Sequence, residues 1–403
     1  MSKFPYSRPD VTNADIIAVK KSLKNQFLTG GPIIKNFEKK IEEEYDVNNA
    51  IVCNSGTAAL HLIYLSLGLK KGDTILTSPI TFVATANAAL MCGANVVFSD
   101  VDPLTGMLTP QNIEKELKKK REKIKIITVV HLGGRLCDLE GISKVAKKYN
   151  CFIVEDACHA PGAIYYNKKN IGSKVGSCKF SVAASFSFHA IKHVTMAEGG
   201  CVTTNDNKLT KFMRLKLNHG IIRKDNNNKN NKKFLDPWYY QIKELGYNYR
   251  SSELNCALGL SQIKRLKLSI NKRKRIADIY KKELKGITSI TFPKYTLNLN
   301  SNAWHLFTIF INFKELGIKK RDFIKQLESK DIGTQVHYIP LFLQPIYKSM
   351  DKKKFKGALE YYEKSLSLPM YISLKKNDII YICDIIKKVV FNGKKNILKK
   401  QKP

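Results

Sequence analysis

The hydrophobic residues follow two patterns that alternate along most of the chain. Short continuous apolar runs are typical of strands buried on both faces, and longer stretches carry apolar residues at helical spacing. The runs predict strands at 50–53, 74–77, 95–98, 124–131, 152–156, 180–188 and 201–204. The longer stretches predict helices at 10–25, 33–45, 58–69, 80–87, 108–120, 142–148 and 252–267. This alternation predicts an α/β fold with a largely parallel sheet between helices and right-handed crossovers.

The first of these helices is predicted to be amphipathic. Its apolar positions recur every three or four residues, so they share one face that we expect to pack against the core. That face consists of Val11, Ile16, Ile17, Val19 and Leu23.

Residues after 270 predict a second, smaller α/β domain. It contains an apolar strand at 305–311 and a strand at 333–340 that enters a loop. Helices are predicted at 270–284, 321–330, 361–365 and 379–390. We therefore divide the chain into a large domain at 1–269, a small domain at 270–395 and a frayed basic tail at 396–403. The Asn- and Lys-rich run 224–233 is too polar for a core and predicts a surface loop.

Composition places the chain among globular proteins of a reducing compartment. Hydrophobic residues make up 43% of the chain and aromatic residues 10%. The nine cysteines are scattered without a C-x-x-C pair, which predicts buried thiols rather than a metal site. The N-terminus lacks the apolar core of a signal peptide, and no apolar run approaches the roughly 18 residues of a membrane helix. We therefore expect a cytoplasmic protein without a membrane partner.

The formal net charge of +35 is the unusual feature of the composition. Clustered basic residues would suit a polyanionic partner, because they neutralise phosphates. However, the basic runs 118–121 and 272–275 fall in predicted helical segments without the interleaved aromatic residues of a stacking platform. Basic residues spread over the whole surface therefore explain the charge better than nucleic-acid binding does. Such a surface would also attract an anionic nucleotide-sugar.

The segment Ser185-Phe-Ser-Phe-His-Ala-Ile-Lys192 places a lysine in a polar turn directly after a buried strand. A lysine held there loses hydration, which lowers its pKa unless a carboxylate pairs with it. Lysines of lowered pKa form Schiff bases with carbonyl compounds, including pyridoxal 5'-phosphate (PLP). Lys192 is therefore a candidate catalytic residue, although most lysines at strand ends have no such role.

Two other turns after predicted strands are candidate parts of a ligand site. Asn54-Ser-Gly-Thr57 joins a strand to a helix N-terminus, an arrangement that holds phosphate through backbone amides and the helix dipole. The same residues would also serve as an ordinary N-cap. Phe82 follows the strand 74–77, near the edge where ligands bind to α/β sheets. Its ring would either stack on a flat ligand or pack in the core.

A carboxylate ends the buried strand 152–156. Asp156 needs a partner at this position, and a protonated pyridine nitrogen would serve, keeping the ring an effective electron sink. His159 would orient Asp156 or reach the cofactor. The structural alternatives are a helix N-cap for Asp156 and a hydrogen-bonded core histidine for His159.

In chain order, the motifs are the turn 54–57, Phe82, Glu155-Asp-Ala-Cys-His159, Ser187-Phe-His-Ala-Ile-Lys192 and Gly246-Tyr-Asn-Tyr-Arg250. This set resembles the DegT/DnrJ/StrS family of sugar aminotransferases, from residue 6 to about residue 368. The resemblance implies the PLP fold type I. Its large domain has a mostly parallel seven-stranded sheet between helices, and a smaller α/β domain follows. It also implies PLP as the cofactor.

The resemblance implies a role for each motif residue. Lys192 would hold PLP as a Schiff base, Asp156 would face the pyridine nitrogen and Phe82 the ring face. The other implied cofactor-binding residues are Gly56, Thr57 and Ser187 at the phosphate, His159, and Asn248 from a second subunit. The functional unit would therefore be a homodimer with shared active sites. The sequence departs from the family at His193, where relatives usually carry proline, and this puts the local turn geometry in doubt.

Within the family, the chain resembles transaminases of pseudaminic acid biosynthesis. The segments that carry this similarity are 4–9, 28–30, 81–87, 188–192, 258–262 and 335–338. It implies amino transfer from L-glutamate to the C4 keto group of UDP-2-acetamido-2,6-dideoxy-β-L-arabino-hexos-4-ulose, a UDP-4-keto-6-deoxy amino sugar. The implied substrate-binding residues are Tyr6, Gln26, Phe27, Leu28, Thr29, Gln335, Val336, His337 and Tyr338.

Two alternatives stay open. The chain could aminate another nucleotide 4-keto-6-deoxy sugar, of the bacillosamine or perosamine type, because substrate pockets vary most in their loops. It could also be a non-catalytic, basic nucleic-acid-binding protein on the same scaffold, because a fold alone does not fix a function.

Overall fold

A computed structural model describes residues 2–119, 123–166, 171–223, 236–294 and 302–400. The predicted surface loop 224–233 lies outside these residues. The helices are α1 Asn13–Ser22, α2 Pro32–Tyr45, α3 Gly56–Ser66, α4 Ala84–Met91, α5 Pro110–Leu117, α6 Leu139–Lys148, α7 Asn207–Leu217, α8 Glu253–Ile263, α9 Leu266–Glu283, α10 Phe313–Leu316, α11 Lys320–Glu328, α12 Lys356–Lys364 and α13 Lys376–Lys400. The strands are β1 Asn49–Cys53, β2 Thr74–Thr77, β3 Asn95–Phe98, β4 Ile124–Val130, β5 Phe152–Asp156, β6 Ile164–Tyr166, β7 Gly172–Lys174, β8 Ala183–Ser187, β9 Gly200–Thr204, β10 Ile221–Ile222, β11 Gln241–Ile242, β12 Ile290–Thr291, β13 Phe307–Ile311 and β14 Ser365–Leu368.

The central sheet has seven strands in the order β1-β9-β8-β5-β4-β2-β3. Strands β8, β5, β4, β2 and β3 pair in parallel, whereas β9 pairs antiparallel with both β8 and β1. The predicted mostly parallel α/β sheet is therefore confirmed. Because only β9 runs against the others, the carboxyl ends of the remaining six strands lie at one edge, where open α/β sheets bind ligands.

The pairing register brings the predicted motifs together at that edge. Gly200 is the partner of Cys53 on β1 and of Ser187 on β8. Asp156 is the partner of Ser185. The turn after β1, the end of β8 and the end of β5 are therefore neighbours, although more than 100 residues separate the first from the others.

A second core surrounds the three-stranded sheet β12-β13-β14. Buried residues of α9, α11 and α13 pack on this sheet, together with Phe4 from the start of the chain. The amide of Phe4 donates to Asp331 O at 2.9 Å, and its carbonyl accepts from the Gly333 amide at 2.8 Å. The N-terminal segment thus lies with the smaller core, although the sequence assigns it to residues 1–269. Helix α9 runs across the predicted boundary at 269/270, which stays a prediction.

The strand predicted at 333–340 in the C-terminal part is wrong. Residues 333–340 form no strand beyond one isolated bridge from Gln335 to Ser367, and β13 pairs with β14 instead. The segment ends at Pro340, which lacks the amide that a ladder requires. Helix α13 continues to Lys400, and the frayed basic tail at 396–403 stays a prediction.

The predicted apolar face of α1 does not pack in the core. Val11, Ile16, Ile17 and Leu23 are more than half exposed, and the buried side chains of the helix are Asp15 and Ser22. The helix is anchored through its polar face, in which Asp15 accepts hydrogen bonds from Arg265 at 2.9 and 3.0 Å. It also accepts from Gln262 at 2.9 Å and from the Thr12 amide at 2.8 Å. The periodicity of apolar residues could not reveal that the polar face is buried, because Asp15 pairs with Arg265, which lies 250 residues further along the chain.

No helix in the described ranges is both long enough and apolar enough to cross a lipid bilayer.

We expect replacement of Asp15 by Asn to destabilise the fold and to change its acid sensitivity. Burial opposes ionisation of Asp15, but hydrogen bonds from Arg265, Ser261 and Thr12 outweigh it and lower the pKa to about 2. The ionised Asp15 carboxylate therefore contributes to the free energy of unfolding. This contribution is fully present above the ordinary pKa of 3.8 and is lost as pH falls through about 2. Loss of charge-assisted hydrogen bonds should cost about 1–3 kcal/mol of unfolding free energy at neutral pH.

Urea unfolding measured from neutral to acid pH tests this expectation. The control is Asp322→Asn, which changes a carboxylate in an exposed ion pair and should shift the unfolding free energy by less than about 0.5 kcal/mol. Equal stability of the Asp15 variant and the wild type at neutral pH would contradict the anchor.

Candidate active site

A cavity of about 660 Å³ opens at the carboxyl edge of the central sheet. It is bounded by residues of the large sheet, of the N-terminal segment and of the C-terminal part. The predicted site residues that line it are Tyr6, Gly56, Thr57, Phe82, Asp156, His159, Ser187, Lys192, Gln335, Val336, His337 and Tyr338. The structure therefore brings twelve of the seventeen predicted residues into one cavity.

The N-terminus of α3 supplies one wall. Ser55 is its N-cap, and the Ser55 hydroxyl accepts from the Ala58 amide at 3.1 Å. The amides of Gly56 and Thr57 begin the helix, so they have no partner within it and are free for a ligand. The N-cap expected as an alternative is thus present together with the anion-binding geometry rather than instead of it.

Glycine at position 56 lets the helix approach strand β8 closely. A methyl group there would lie 2.9 Å from Ser187 Cβ and 3.4 Å from Cys158 Sγ. The contact with Ser187 is shorter than real Cβ atoms show, and Ser187 is fixed in the sheet. The helix N-terminus and the Ser187 hydroxyl can therefore face the same ligand group only because residue 56 has no side chain.

Lys192 lies in the turn between β8 and β9. The turn is closed by the Lys192 amide donating to His189 O at 2.9 Å and by the Met196 amide donating to Phe188 O at 2.8 Å. Burial lowers the pKa of the Lys192 ammonium from its ordinary value, while Cys158 and Asp156 oppose the shift. The lowered pKa makes the neutral, nucleophilic amine more accessible near neutral pH.

Asp156 ends β5 and is 6% exposed. Its Oδ2 accepts from the Thr85 hydroxyl at 2.6 Å, and its Oδ1 accepts from the Cys158 amide at 3.2 Å. No lysine or arginine of the described residues lies within ion-pair distance of this carboxylate. Asp156 is not a helix N-cap, because no helix follows β5 directly. The carboxylate is thus held in place by neutral donors and can interact with a cationic ligand group.

His159 does not orient Asp156, as one of the sequence alternatives proposed. Its Nδ1 accepts from the Gly133 amide at 3.3 Å, and its Nε2 lies 3.2 Å from the Tyr338 hydroxyl. Burial lowers the pKa of His159 well below its ordinary value, so the ring is neutral. Because Nδ1 accepts, the single ring proton is on Nε2, the atom on the Tyr338 side.

Phe82 is 57% exposed, which excludes the alternative that its ring packs in the core. Its ring centroid lies 6.2 Å from that of Tyr338, at an angle of 53°. The ring face is therefore available to a flat ligand.

The segment 335–338 and the N-terminal segment close the cavity from the other side. His337 Nδ1 lies 2.9 Å from the Ser367 hydroxyl, and Gln335 bridges to Ser367 through the backbone. Tyr6 contacts His337, with ring centroids 5.7 Å apart, and its carbonyl accepts from the Met370 amide. Burial lowers the pKa of His337 to about 3, so this ring is also neutral.

Five predicted residues do not reach the cavity within this chain: Gln26, Phe27, Leu28, Thr29 and Asn248. The first four belong to the loop before α2, where the Leu28 carbonyl accepts from the Glu253 amide and Thr29 bridges to Ser252. Asn248 is exposed, and its backbone carbonyl accepts from the side-chain amide Nδ2 of Asn54 at 3.3 Å. A role for Asn248 from a second subunit stays a prediction.

Among the residues at or beside the site that sequence reasoning missed, three have polar or sulfur-bearing side chains that bear on its chemistry. Thr85 holds Asp156, Cys158 lines the cavity beside Gly56, and His305 lines it from the start of β13. Thr85 stands in the first turn of the helix after Phe82, which places it near the site but does not identify Asp156 as its partner. The sequence held no signal for His305, because its ring meets His159, 4.3 Å away, only through tertiary packing.

The residues present fit PLP. An anion site at a helix N-terminus, a carboxylate without a cationic partner, an exposed aromatic ring and a lysine of lowered pKa line one cavity. These groups match the phosphate, the pyridine nitrogen, the ring face and the aldehyde of that cofactor.

Comparisons with known proteins give a consistent result. The model of the DegT/DnrJ/EryC1/StrS aminotransferase family matches residues 9–387. The UDP-4-amino-4,6-dideoxy-N-acetyl-β-L-altrosamine transaminase of Campylobacter jejuni is 36% identical over 97% of this chain and 98% of that protein.

Solved structures agree with the sequence comparison. The structure of Helicobacter pylori PseC, an aminotransferase of pseudaminic acid biosynthesis, superposes with a TM-score of 0.87 at 31% identity. The match covers 96% of this chain and 99% of the PseC chain. The PLP-form of Spr1654 from Streptococcus pneumoniae superposes with a TM-score of 0.84 at 27% identity, over 96% of this chain and 99% of that one.

We expect Gly56→Ala to weaken PLP binding. The new methyl group would push the α3 N-terminus away from Ser187 and so misplace the Gly56 and Thr57 amides, which are free for a phosphate group. Loss of charge-assisted hydrogen bonds should raise the Kd for PLP by about tenfold or more. A fluorescence titration with PLP measures the change.

The control is Ser66→Ala, at the far end of the same helix, which should leave the Kd unchanged. Thermal unfolding without PLP separates a local effect from a general loss of stability. An unaltered Kd in Gly56→Ala would show that the helix N-terminus is not the phosphate site.

Proposed function

The chain belongs to the DegT/DnrJ/EryC1/StrS aminotransferase family and is a PLP-dependent sugar aminotransferase; from this premise we propose its substrates and the roles of its residues. We propose that it transfers the amino group of L-glutamate to C4 of UDP-2-acetamido-2,6-dideoxy-β-L-arabino-hexos-4-ulose. The products are 2-oxoglutarate and UDP-4-amino-4,6-dideoxy-N-acetyl-β-L-altrosamine.

The observation that carries the proposed roles is the meeting of Lys192, Asp156 and the α3 N-terminus in one cavity. Each of these features has an ordinary structural explanation when it is taken alone. A half-buried lysine of lowered pKa, a carboxylate without a cationic partner and a free helix N-terminus in one cavity have a shared explanation in a phosphate-bearing pyridine aldehyde.

In the proposed site, Lys192 holds PLP covalently through its amine, and Asp156 accepts a hydrogen bond from the pyridine nitrogen. Gly56, Thr57 and Ser187 hold the phosphate. Phe82 covers one face of the ring, and His159 lies at the edge of the cavity, where its Nε2 proton is donated to the Tyr338 hydroxyl.

The cofactor, when bound, withdraws electrons from the substrate carbon and so makes its C–H bond acidic. The Lys192 amine, once displaced by the amino donor, takes the proton from the α-carbon of glutamate. In the second half of the reaction, Lys192 delivers a proton to C4 of the sugar. One residue acting from one side at both carbons fixes the stereochemistry of the product.

The proposed sugar rests on the relatives named above and on the cavity-lining segments. The C. jejuni relative and PseC cover nearly the whole chain, and Tyr6 and residues 335–338 line the cavity. Another nucleotide 4-keto-6-deoxy sugar is the second candidate, because the identity of 36% leaves room for changes in these segments.

A homodimer is part of the proposal. Asn248 is exposed and outside the cavity of its own chain, as a residue that serves a partner's site would be. The nearby side chains of Trp238, Ile242 and Leu245 are each more than 60% exposed, which suits an interface with a second copy.

We expect a visible spectrum to report both halves of the reaction. The protein mixed with PLP should show the absorption band of a lysine-bound cofactor, and L-glutamate should abolish this band. Addition of the UDP-4-keto sugar in the L-arabino configuration should restore it, whereas its D-xylo epimer should not.

Lys192→Ala is the control for covalent attachment, and it should bind PLP without the band. Restoration by the epimer alone would reject the proposed sugar and retain an aminotransferase. A Lys192→Ala spectrum identical to the wild type would reject the role of Lys192.

The pH dependence of PLP attachment tests the environment of Lys192. Burial lowers the Lys192 pKa below its ordinary value of 10.5, and the Asp156 carboxylate opposes this shift. The neutral amine is the nucleophile, and it predominates above the pKa of Lys192. The rate of PLP attachment should therefore reach half of its maximum at a pH below 10.5. Asp156→Asn removes a charge that favours the ammonium, so its midpoint should be lower still.

Stopped-flow absorbance at saturating PLP measures these midpoints. A wild-type midpoint at or above 10.5, or a rise of the midpoint in Asp156→Asn, would contradict the proposed electrostatics.

A further inference from the structure

His193, directly after Lys192, makes a contact that a proline at this position could not make. Its side chain is 5% exposed, and its Nε2 lies 2.7 Å from the carbonyl oxygen of Ala303. A carbonyl oxygen only accepts, so the imidazole Nε2–H donates. The bond joins the Lys192 turn to a segment 110 residues further along the chain.

That segment, residues 302–306, is itself held firmly. The Ala303 amide donates to Gly134 O at 3.0 Å, and the Leu306 amide donates to Gly133 O at 3.2 Å. The Trp304 amide donates to the Asn302 side chain at 2.7 Å. The segment is therefore a fixed support and not a loop that would follow the turn.

A buried arginine holds the same segment from the other side. Arg273 on α9 is 3% exposed and donates to the carbonyl oxygens of Met370 at 3.1 Å, of Trp304 at 3.4 Å and of His305 at 3.4 Å. No carboxylate of the described residues forms an ion pair with it. Burying a cation without a carboxylate partner costs free energy of folding. The three hydrogen bonds to carbonyl oxygens offset part of this cost, and two of them hold the segment 302–306 in place.

The segment also carries a residue of the cavity. His305 lines the cavity, and its ring centroid lies 4.3 Å from that of His159 and 5.4 Å from that of His193. The His193 bond thus connects two walls of the cavity, the Lys192 turn and the start of β13.

We propose that His193 is a positioning residue that fixes the Lys192 turn against residues 302–306, so that the Lys192 amine keeps its place relative to His305. This proposal rests on the role proposed above for Lys192. The chain uses a side-chain hydrogen bond where the resemblance implies a rigid proline ring. This hydrogen bond holds the Lys192 turn only while the Ala303 carbonyl is in place. The position of the Lys192 amine therefore depends on the position of residues 302–306.

Replacement of His193 by Gln and by Met gives a matched pair of variants. The two side chains have similar length and volume, but only Gln can donate to the Ala303 carbonyl. The readout is the rate at which Lys192 captures PLP, measured by borohydride reduction at timed intervals and mass spectrometry of the Lys192 peptide. Thermal unfolding of each variant gives its folded fraction, to which the rates are normalised.

We expect His193→Met to slow capture about fivefold or more, as the loss of one buried hydrogen bond predicts, and His193→Gln to stay within about twofold of the wild type. In the full reaction, kcat should fall in the Met variant while KM for glutamate changes little. Backbone amide exchange at 303–306, measured without PLP, should quicken in the Met variant only.

Equal normalised capture rates in the Met and Gln variants would overturn the positioning role, whatever their melting temperatures. If Met fails to fold, His193→Leu replaces it in the same comparison, and equal rates in the Leu and Gln variants would overturn the role in the same way. A wild-type protein that captures no PLP at Lys192 would instead overturn the proposed function, so the two failures are distinguishable.

Discussion

The close approach of three backbone segments at Gly200 is the constraint on which the site depends. Gly200 pairs with Cys53 on one side and Ser187 on the other, and a methyl group on it would lie 2.2 Å from Ser55 O. This contact sets the distance between the α3 N-terminus and the end of β8. A side chain at position 200 would push the turn 54–57 away from strand β8, which leads to Lys192. The amides of the α3 N-terminus and the Lys192 amine could then no longer contact the same ligand.

Burial of titratable groups then sets the chemistry of the cavity. His159, His305 and His337 are kept neutral, because burial and the nearby Lys192 charge lower their pKa values. Burial also favours the neutral form of Lys192. Asp156, held by neutral donors, brings a carboxylate into this environment. The cavity therefore combines an available nucleophile with a carboxylate that is itself buried, groups that transamination chemistry uses.

The cavity also depends on both cores of the chain. The central sheet supplies Lys192 and Asp156, whereas residues 335–338 are held by Ser367 of the smaller sheet. Arg273 and His193 both donate to carbonyl oxygens of residues 302–306, between these two parts. A shift of the smaller core would therefore move the Lys192 amine through a short series of hydrogen bonds, from Arg273 to residues 302–306 and from there to His193.

The sequence by itself determined the alternation of strands and helices, because apolar periodicity reflects which faces a sheet buries. It also determined the residue types of the motifs at the strand ends, and the parallel order of the sheet then placed most of them at one edge. Only the tertiary structure decided that α1 is anchored by Asp15, that Thr85 holds Asp156 and that His305 reaches the cavity. These contacts join residues 71 to 250 positions apart, and a local pattern carries no signal for a partner that only folding brings near.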